Sequence, residues 1–151
     1  MEKLPHANNY RELLVYQKQR QLQKEIFQLT LALPKDEKFS LVDQIRRSSR
    51  SIGANIAEAW AKRRYEKHFV SKLTDADGEQ YETQHWIGTA VDCNYLSKER
   101  AKPYLDKCEE IGRLLGGIMD KADLFCGEPP KMLRESTLEY FVDQVDGDEN
   151  D

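Results

Sequence analysis

The chain has 151 residues and a mass of 17.6 kDa, with 39% hydrophobic and 33% charged residues and a formal net charge of -4. That is the length of one domain, with enough apolar side chains for one packed core, and with too much charge for a bilayer-embedded protein. No run of 18 apolar residues exists to span a membrane, and Met1–His6 lack the apolar stretch of a secretory leader, so a cytoplasmic location is expected.

Breakers at Pro34–Asp36, around Arg64–Tyr65, at Ser97 to Pro103 and at Gly127–Pro130 divide the chain into helix-length segments with no strand-type alternation. The first segment runs from about Asn9 to Leu33. Its Leu22, Ile26, Leu29 and Leu33 step by three and four along one stripe, and Pro34 ends it.

The second segment is expected to start at Ser40 as N-cap, with Asp43 three residues on as a weak capping-box partner. Ile45, Ser49, Ile52, Ile56 and Ala59 form its apolar stripe. The small residues Ser48, Ser49, Ser51, Gly53 and Ala54 allow close helix approach and lower intrinsic helicity, so packing must hold this helix.

The third segment, about Glu66 to Tyr95, repeats Phe69, Leu73, Ala76, Gln80, Thr83, Ile87 and Ala90 as a heptad. Gln80 and Thr83 put polar groups on that seam and must find hydrogen-bond partners there. The fourth segment is expected to begin near Pro103, with Pro103 in the first turn, and to carry Tyr104, Cys108, Ile111, Leu115, Ile118, Ala122 and Phe125 on its seam.

Four such segments read as an all-α fold, an antiparallel up-down-up-down left-handed four-helix bundle over residues 1–127. Residues 128–151 read as a short acidic, partly disordered tail. The tail holds Glu128, Glu135, Glu139, Asp143, Asp146, Asp148, Glu149 and Asp151 against Lys131 and Arg134, a net -6, which leaves +2 for the body. Such a tail either solubilises the chain or competes with an anionic ligand for a basic face.

Candidate chemistry is sparse. Glu82-x-x-His85 is one half of a di-iron ligand pattern, but no second Glu-x-x-His exists, so neither a metal nor another cofactor is expected. The cysteines Cys93, Cys108 and Cys126 are odd in number and lack C-x-x-C spacing, which argues against a disulfide scaffold or zinc ribbon. Cys108 lies on a helix seam and has no nearby signature of a thiol nucleophile. There is no phosphate loop and no dinucleotide fingerprint. The chain therefore reads as a non-enzyme.

The informative feature is basic. Arg46 and Arg50 stand one turn apart, Arg47 beside them, and Lys62, Arg63, Arg64 and Lys67 follow at the far end of the segment. Two offsets for this charge remain open. One is salt bridges to the acids of segment three, Asp75, Asp77, Glu79 and Glu82; the other is a nucleic-acid backbone.

The stretch Gln44-Ile45-Arg46-Arg47, then Ser51-Ile52, then Asn55-Ile56-Ala57-Glu58 closely resembles the signature of a four-helix-bundle family. That family includes the 23S rRNA intervening-sequence proteins and the accessory variability determinant of diversity-generating retroelements. Leu14 to Gln17, Gly78 and Glu82-Thr83 match weaker positions, and the resemblance covers about Asn9 to Phe125. It implies a left-handed bundle assembled into homopentamers, no known enzymatic activity, and binding of nucleic acid; the retroelement branch works beside a reverse transcriptase. Family positions carried over are Arg46, Arg47, Asn55 and Glu58. Gly53-Ala54 and Ala59-Trp60 depart from the usual pattern, and the body is less basic than the retroelement proteins.

The expected nucleic-acid face comprises Arg46, Arg47, Arg50, Lys62, Arg63 and Arg64, and the ligand is RNA or DNA, RNA in particular. Asn55, Glu58 and Trp60 are expected to serve structure or oligomer contacts, with Glu58 meeting Arg46 or Arg47. The rival reading is a protein-assembly scaffold with Trp60, Trp86 and Phe141 as anchors.

Overall fold

A computed structural model describes residues 7–127. The tail 128–151, Phe141 included, lies outside the described residues. Four long helices are formed: α1 (Leu14–Leu31), α2 (Leu41–Ala61), α3 (Glu66–Asp92) and α4 (Lys98–Asp120). A one-turn α5 (Ala122–Phe125) and short 3-10 turns at Tyr10–Glu12 and Lys35–Glu37 complete the described chain. Among the described residues no strand forms, and no helix is long and apolar enough to cross a membrane.

The helices pack in a closed ring, α1 on α2, α2 on α3, α3 on α4 and α4 on α1. Each neighbouring pair is antiparallel, because partners run in opposite order. Gln19 meets Ser49 while Thr30 meets Arg46. Ser48 meets Thr83 while Glu58 meets Lys72, and Thr74 meets Met119 while Phe69 stacks on Phe125. Glu25 pairs with Lys107 and Lys18 with Glu110.

The core follows the heptads. All seven seam residues of α3 are buried, and they are the full set of buried residues on that helix. Thr83 on that seam places its hydroxyl 2.9 Å from that of Ser48, so the polar seam residue is paired across α2 and α3. Gln80 donates to Asp77 at 2.9 Å and accepts from Gln84 at 2.7 Å. On α4 the buried seam is Cys108, Ile111 and Leu115, with Ala101 added two turns earlier. Burial pushes the Cys108 thiol up to about 12, so it stays protonated and acts as a small apolar residue.

Two buried glutamines sit over glycines of the neighbouring helix. A Cβ on Gly53 would lie 2.4 Å from Gln19 Oε1, and one on Gly112 would lie 2.8 Å from Gln80 Nε2. Gln19 donates to the Ser49 carbonyl and to Gln23, while its own Oε1 has no partner. These seats let α1 approach α2, and α3 approach α4, without a methyl between them.

Two helix starts differ from the sequence reading. Ser40 occupies the N-cap of α2 but makes no side-chain cap bond. The cap is Glu37: its Oε2 accepts from the Leu41 amide at 3.2 Å and from the Ser40 hydroxyl at 2.7 Å. Its Oε1 accepts from Tyr95, and these bonds, led by that from Ser40, hold its carboxyl below the ordinary range. A charged acceptor at a helix N-terminus outcompetes a neutral hydroxyl.

The second difference is Pro103, which lies inside α4 and not in its first turn. Ser97 caps the helix earlier by accepting from the Arg100 amide, with Glu99 in the first turn. Only one backbone bond, from position 103 to the Glu99 carbonyl, is forgone. At the far end of α3, Asn94 takes the left-handed conformation at φ 61°, and the Tyr95 amide reaches back to Ala90. That is a Schellman closure with asparagine in glycine's usual place, and it turns the chain into α4 in five residues.

Candidate nucleic-acid interface

The small-residue face of α2 is turned to the core, with Ser48, Ser49 and Gly53 buried, so its arginines are turned outward. They do not form a uniform row. Arg46 is half-buried, its Nε donating to Thr30 Oγ1 at 2.8 Å and its guanidinium lying 4.8 Å from the centre of the Phe27 ring. Both partners are uncharged, so its positive charge is not neutralised.

Arg47 turns the other way, toward α3. Its NH2 group lies 2.5 Å from Glu82 and 3.3 Å from Glu79. The hydrogen bond to Arg47 holds Glu82 below the ordinary carboxylate range, whereas burial pushes the more enclosed Glu79 up. Glu82 also accepts from Trp86 Nε1 at 3.3 Å. Of the two offsets left open by the sequence, Arg47 takes the salt bridges. Arg50, one turn beyond Arg46, is exposed and makes no ion pair among the described residues.

Arg46, Arg47 and Arg50 line an open groove of about 600 Å³ together with Lys38, Phe39 and Asp43, Arg47 with its charge already met by Glu79 and Glu82. Phe39 is 86% exposed, with the Lys38 ammonium 5.3 Å from its ring centre. Neither Lys38 nor Phe39 was singled out by the sequence reading. An apolar ring between a lysine and a helix cap, in a link otherwise polar, is the only trace either leaves in the sequence.

The cations at the C-terminal end of α2 form a separate group. Lys62 is exposed; Arg63 lies flat on Trp60 at 3.5 Å and donates to its carbonyl. Arg63 is half-buried, and burial draws its pKa down. Arg64 lies 5.9 Å from the ring of Tyr65 and is partnered. From Arg50 to Arg63 along the helix is roughly 20 Å. The six predicted cations are therefore not one face: Arg46, Arg47 and Arg50 line the groove, Arg47 with its charge paired to acids of α3, and the other three stand at the far end.

The predicted structural residues also move. Glu58 is exposed and pairs with Lys72 of α3 at 2.8 Å, not with Arg46 or Arg47. The expected arginine contact fails because Glu58 lies outside the buried stripe and more than two turns beyond both arginines. Asn55 donates back to the Ser51 carbonyl within its own helix. Trp60 is covered by Arg63, and Trp86 is half-buried and flanked by His85. Among the described residues no three His, Cys, Asp or Glu side chains converge as a metal site, so Glu82 and His85 gain no further ligands.

The groove and the helix-two signature that lines it fall within residues 11–117, which match the profile of the 23S rRNA-intervening sequence protein family. The chain belongs to this family. Among solved structures, a protein of unknown function from the S23 ribosomal protein family of Bacteroides thetaiotaomicron is 32% identical, with a TM-score of 0.64. The alignment covers 70% of this chain and 98% of that one. No curated protein matches. The family match takes in α1 to α3 whole and α4 as far as Gly117, and stops short of the acidic residues from Glu128 onward.

Proposed function

We propose that this intervening-sequence family member is a non-enzymatic, homo-oligomeric, cytoplasmic protein that binds nucleic acid, RNA in particular, without sequence specificity. The observation that supports this is the groove on α2. Lys38, Arg46 and Arg50, with the acid-paired Arg47 between them, share one open surface with the exposed ring of Phe39, and Asp43 is its one lining acid. Cations that track phosphates beside an aromatic ring that stacks a base are the two parts of a single-strand site. No element on this face has the form of a base-reading motif.

The helix-two resemblance supports assembly into a pentamer, which would repeat the groove five times and turn a weak contact into avidity for a long polymer. It also names the protein partner this reading implies, a reverse transcriptase.

The test is the binding of a labelled 20-nucleotide oligouridine followed by anisotropy across salt concentrations. Three neutralised phosphates per subunit on a single strand give a log–log slope of about -2, a loss of roughly 20-fold between 50 and 200 mM salt. A flat salt response removes the proposal. It would favour the scaffold reading, for which the exposed Phe27, Leu31 and Phe39 supply apolar surface in place of Trp60 and Trp86.

A further inference from the structure

We propose that the acidic tail, residues 128–151, docks its far end in the α2 groove and competes there with nucleic acid. This rests on the reading of the groove just given, and extends it to regulation. Three observations carry it.

The first is charge. The groove is lined by Lys38, Arg46, Arg47 and Arg50 against Asp43 alone, and with Arg47 paired to Glu79 and Glu82 three of its cations are left without an acid among the described residues. Five of the tail's eight acids, Asp143, Asp146, Asp148, Glu149 and Asp151, fall in its last nine residues. The second is composition. Phe141, Val142 and Val145 adjoin those acids, as Phe39 and Val42 adjoin the groove's cations. An acidic segment with one apolar edge thus faces a basic groove with one apolar edge.

The third is reach. The Gly127 amide donates to the Arg63 carbonyl at 3.0 Å, so the tail leaves the bundle beside the turn between α2 and α3. Arg50 and Arg46 lie roughly 20 and 26 Å back along α2. The sixteen residues from Gly127 to Asp143 span up to about 53 Å. The acids therefore reach the groove with chain to spare. Nearer the exit, Arg63 is half-buried and stacked on Trp60, while Lys62 is exposed and is the rival anchor that carbodiimide coupling distinguishes from Lys38. Tethering holds the tail at an effective concentration in the millimolar range, enough for a weak contact to lower the affinity of a competing polymer about tenfold.

Two readouts on the full-length chain separate this inference from the function it extends. Zero-length carbodiimide coupling followed by trypsin reports contact without any nucleic acid. The tail peptide from Glu135 to Asp151 is expected to be joined to Lys38 at 20 mM salt and released at 500 mM. Coupling absent, or spread equally over Lys62, Lys67 and Lys38, overturns the docking.

The second readout is oligouridine affinity in a chain carrying D143N, D146N, D148N, E149Q and D151N. Binding about tenfold tighter than that of the unaltered chain at 50 mM salt is expected, with the difference closing at high salt. Equal, measurable affinities overturn the competition. Coupling to Lys38 with no oligouridine bound by either chain keeps the docking and removes the nucleic-acid function instead.

Discussion

At the scale of single residues, the interior is fitted by close approach as well as by apolar burial. Gly53 shows how opposing effects are weighed. Alanine in mid-helix is ordinarily worth about 0.5–1 kcal/mol over glycine, but here the new methyl would meet Gln19 Oε1 at 2.4 Å. Gln19 is fully buried and tied to the Ser49 carbonyl, so its amide has nowhere to retreat. Overpacking of this kind costs about 1–3 kcal/mol, and G53A is expected to be net destabilised by about 1 kcal/mol in denaturant melts. G116A, with nothing within 4 Å of the new methyl, is expected to gain stability instead. Adding Q19A to G53A should recover at least about 0.5 kcal/mol relative to the sum of the single changes. Additive losses, or a G53A chain as stable as G116A, would show that the seat is loose.

At the scale of elements, the arginines of α2 divide between holding the bundle and meeting a ligand, and the two roles respond oppositely to mutation. R47A leaves Glu79 and Glu82 without the cation they share, so it is expected to lower stability by about 1 kcal/mol, given the pair's solvent access. Its affinity for oligouridine should fall less than that of R50A, since the Arg47 guanidinium is committed to those carboxylates and acts on the groove only by holding α2 in place. R50A should keep the melting midpoint and weaken binding. If R47A abolishes binding at unchanged stability, the assignment of the two residues is reversed. This division was only half legible in the sequence. The seam of α3 could be read residue by residue, because a heptad has a fixed period and burial follows it. The order of the four helices was legible in the same way. Which acids Arg47 meets depends on how far α3 is shifted along α2, and that shift is set by the four-residue link between them, which no periodicity encodes. The same holds for Glu58, whose partner is Lys72 and not an arginine. Glu37 was missed as the cap because it precedes α2 by four residues, outside the usual spacing, and its second oxygen is held by Tyr95 from a distant turn. Lys38 and Phe39 gave no pattern at all, since a groove's rim follows from tertiary placement.

At the scale of the whole molecule, one subunit offers three groove cations free of an ion pair among the described residues, Lys38, Arg46 and Arg50, too few for firm hold on a polyanion at moderate salt. The proposed function therefore needs copies. A pentamer of this 17.6 kDa chain would weigh about 88 kDa by native mass spectrometry, and that is the expected species; a monomer alone would leave the ring, and the avidity it supplies, without support. Within each copy, the clamp of Arg47 on α3 has a bearing on recognition although it touches no ligand. A helix gripped on one flank cannot roll about its own axis, so the azimuth of Arg46 and Arg50, set off from Arg47 by the helical pitch, is locked before any strand arrives. An incoming polymer finds both side chains leaving the backbone in fixed directions, and that part of the cost of orienting them has been met during folding.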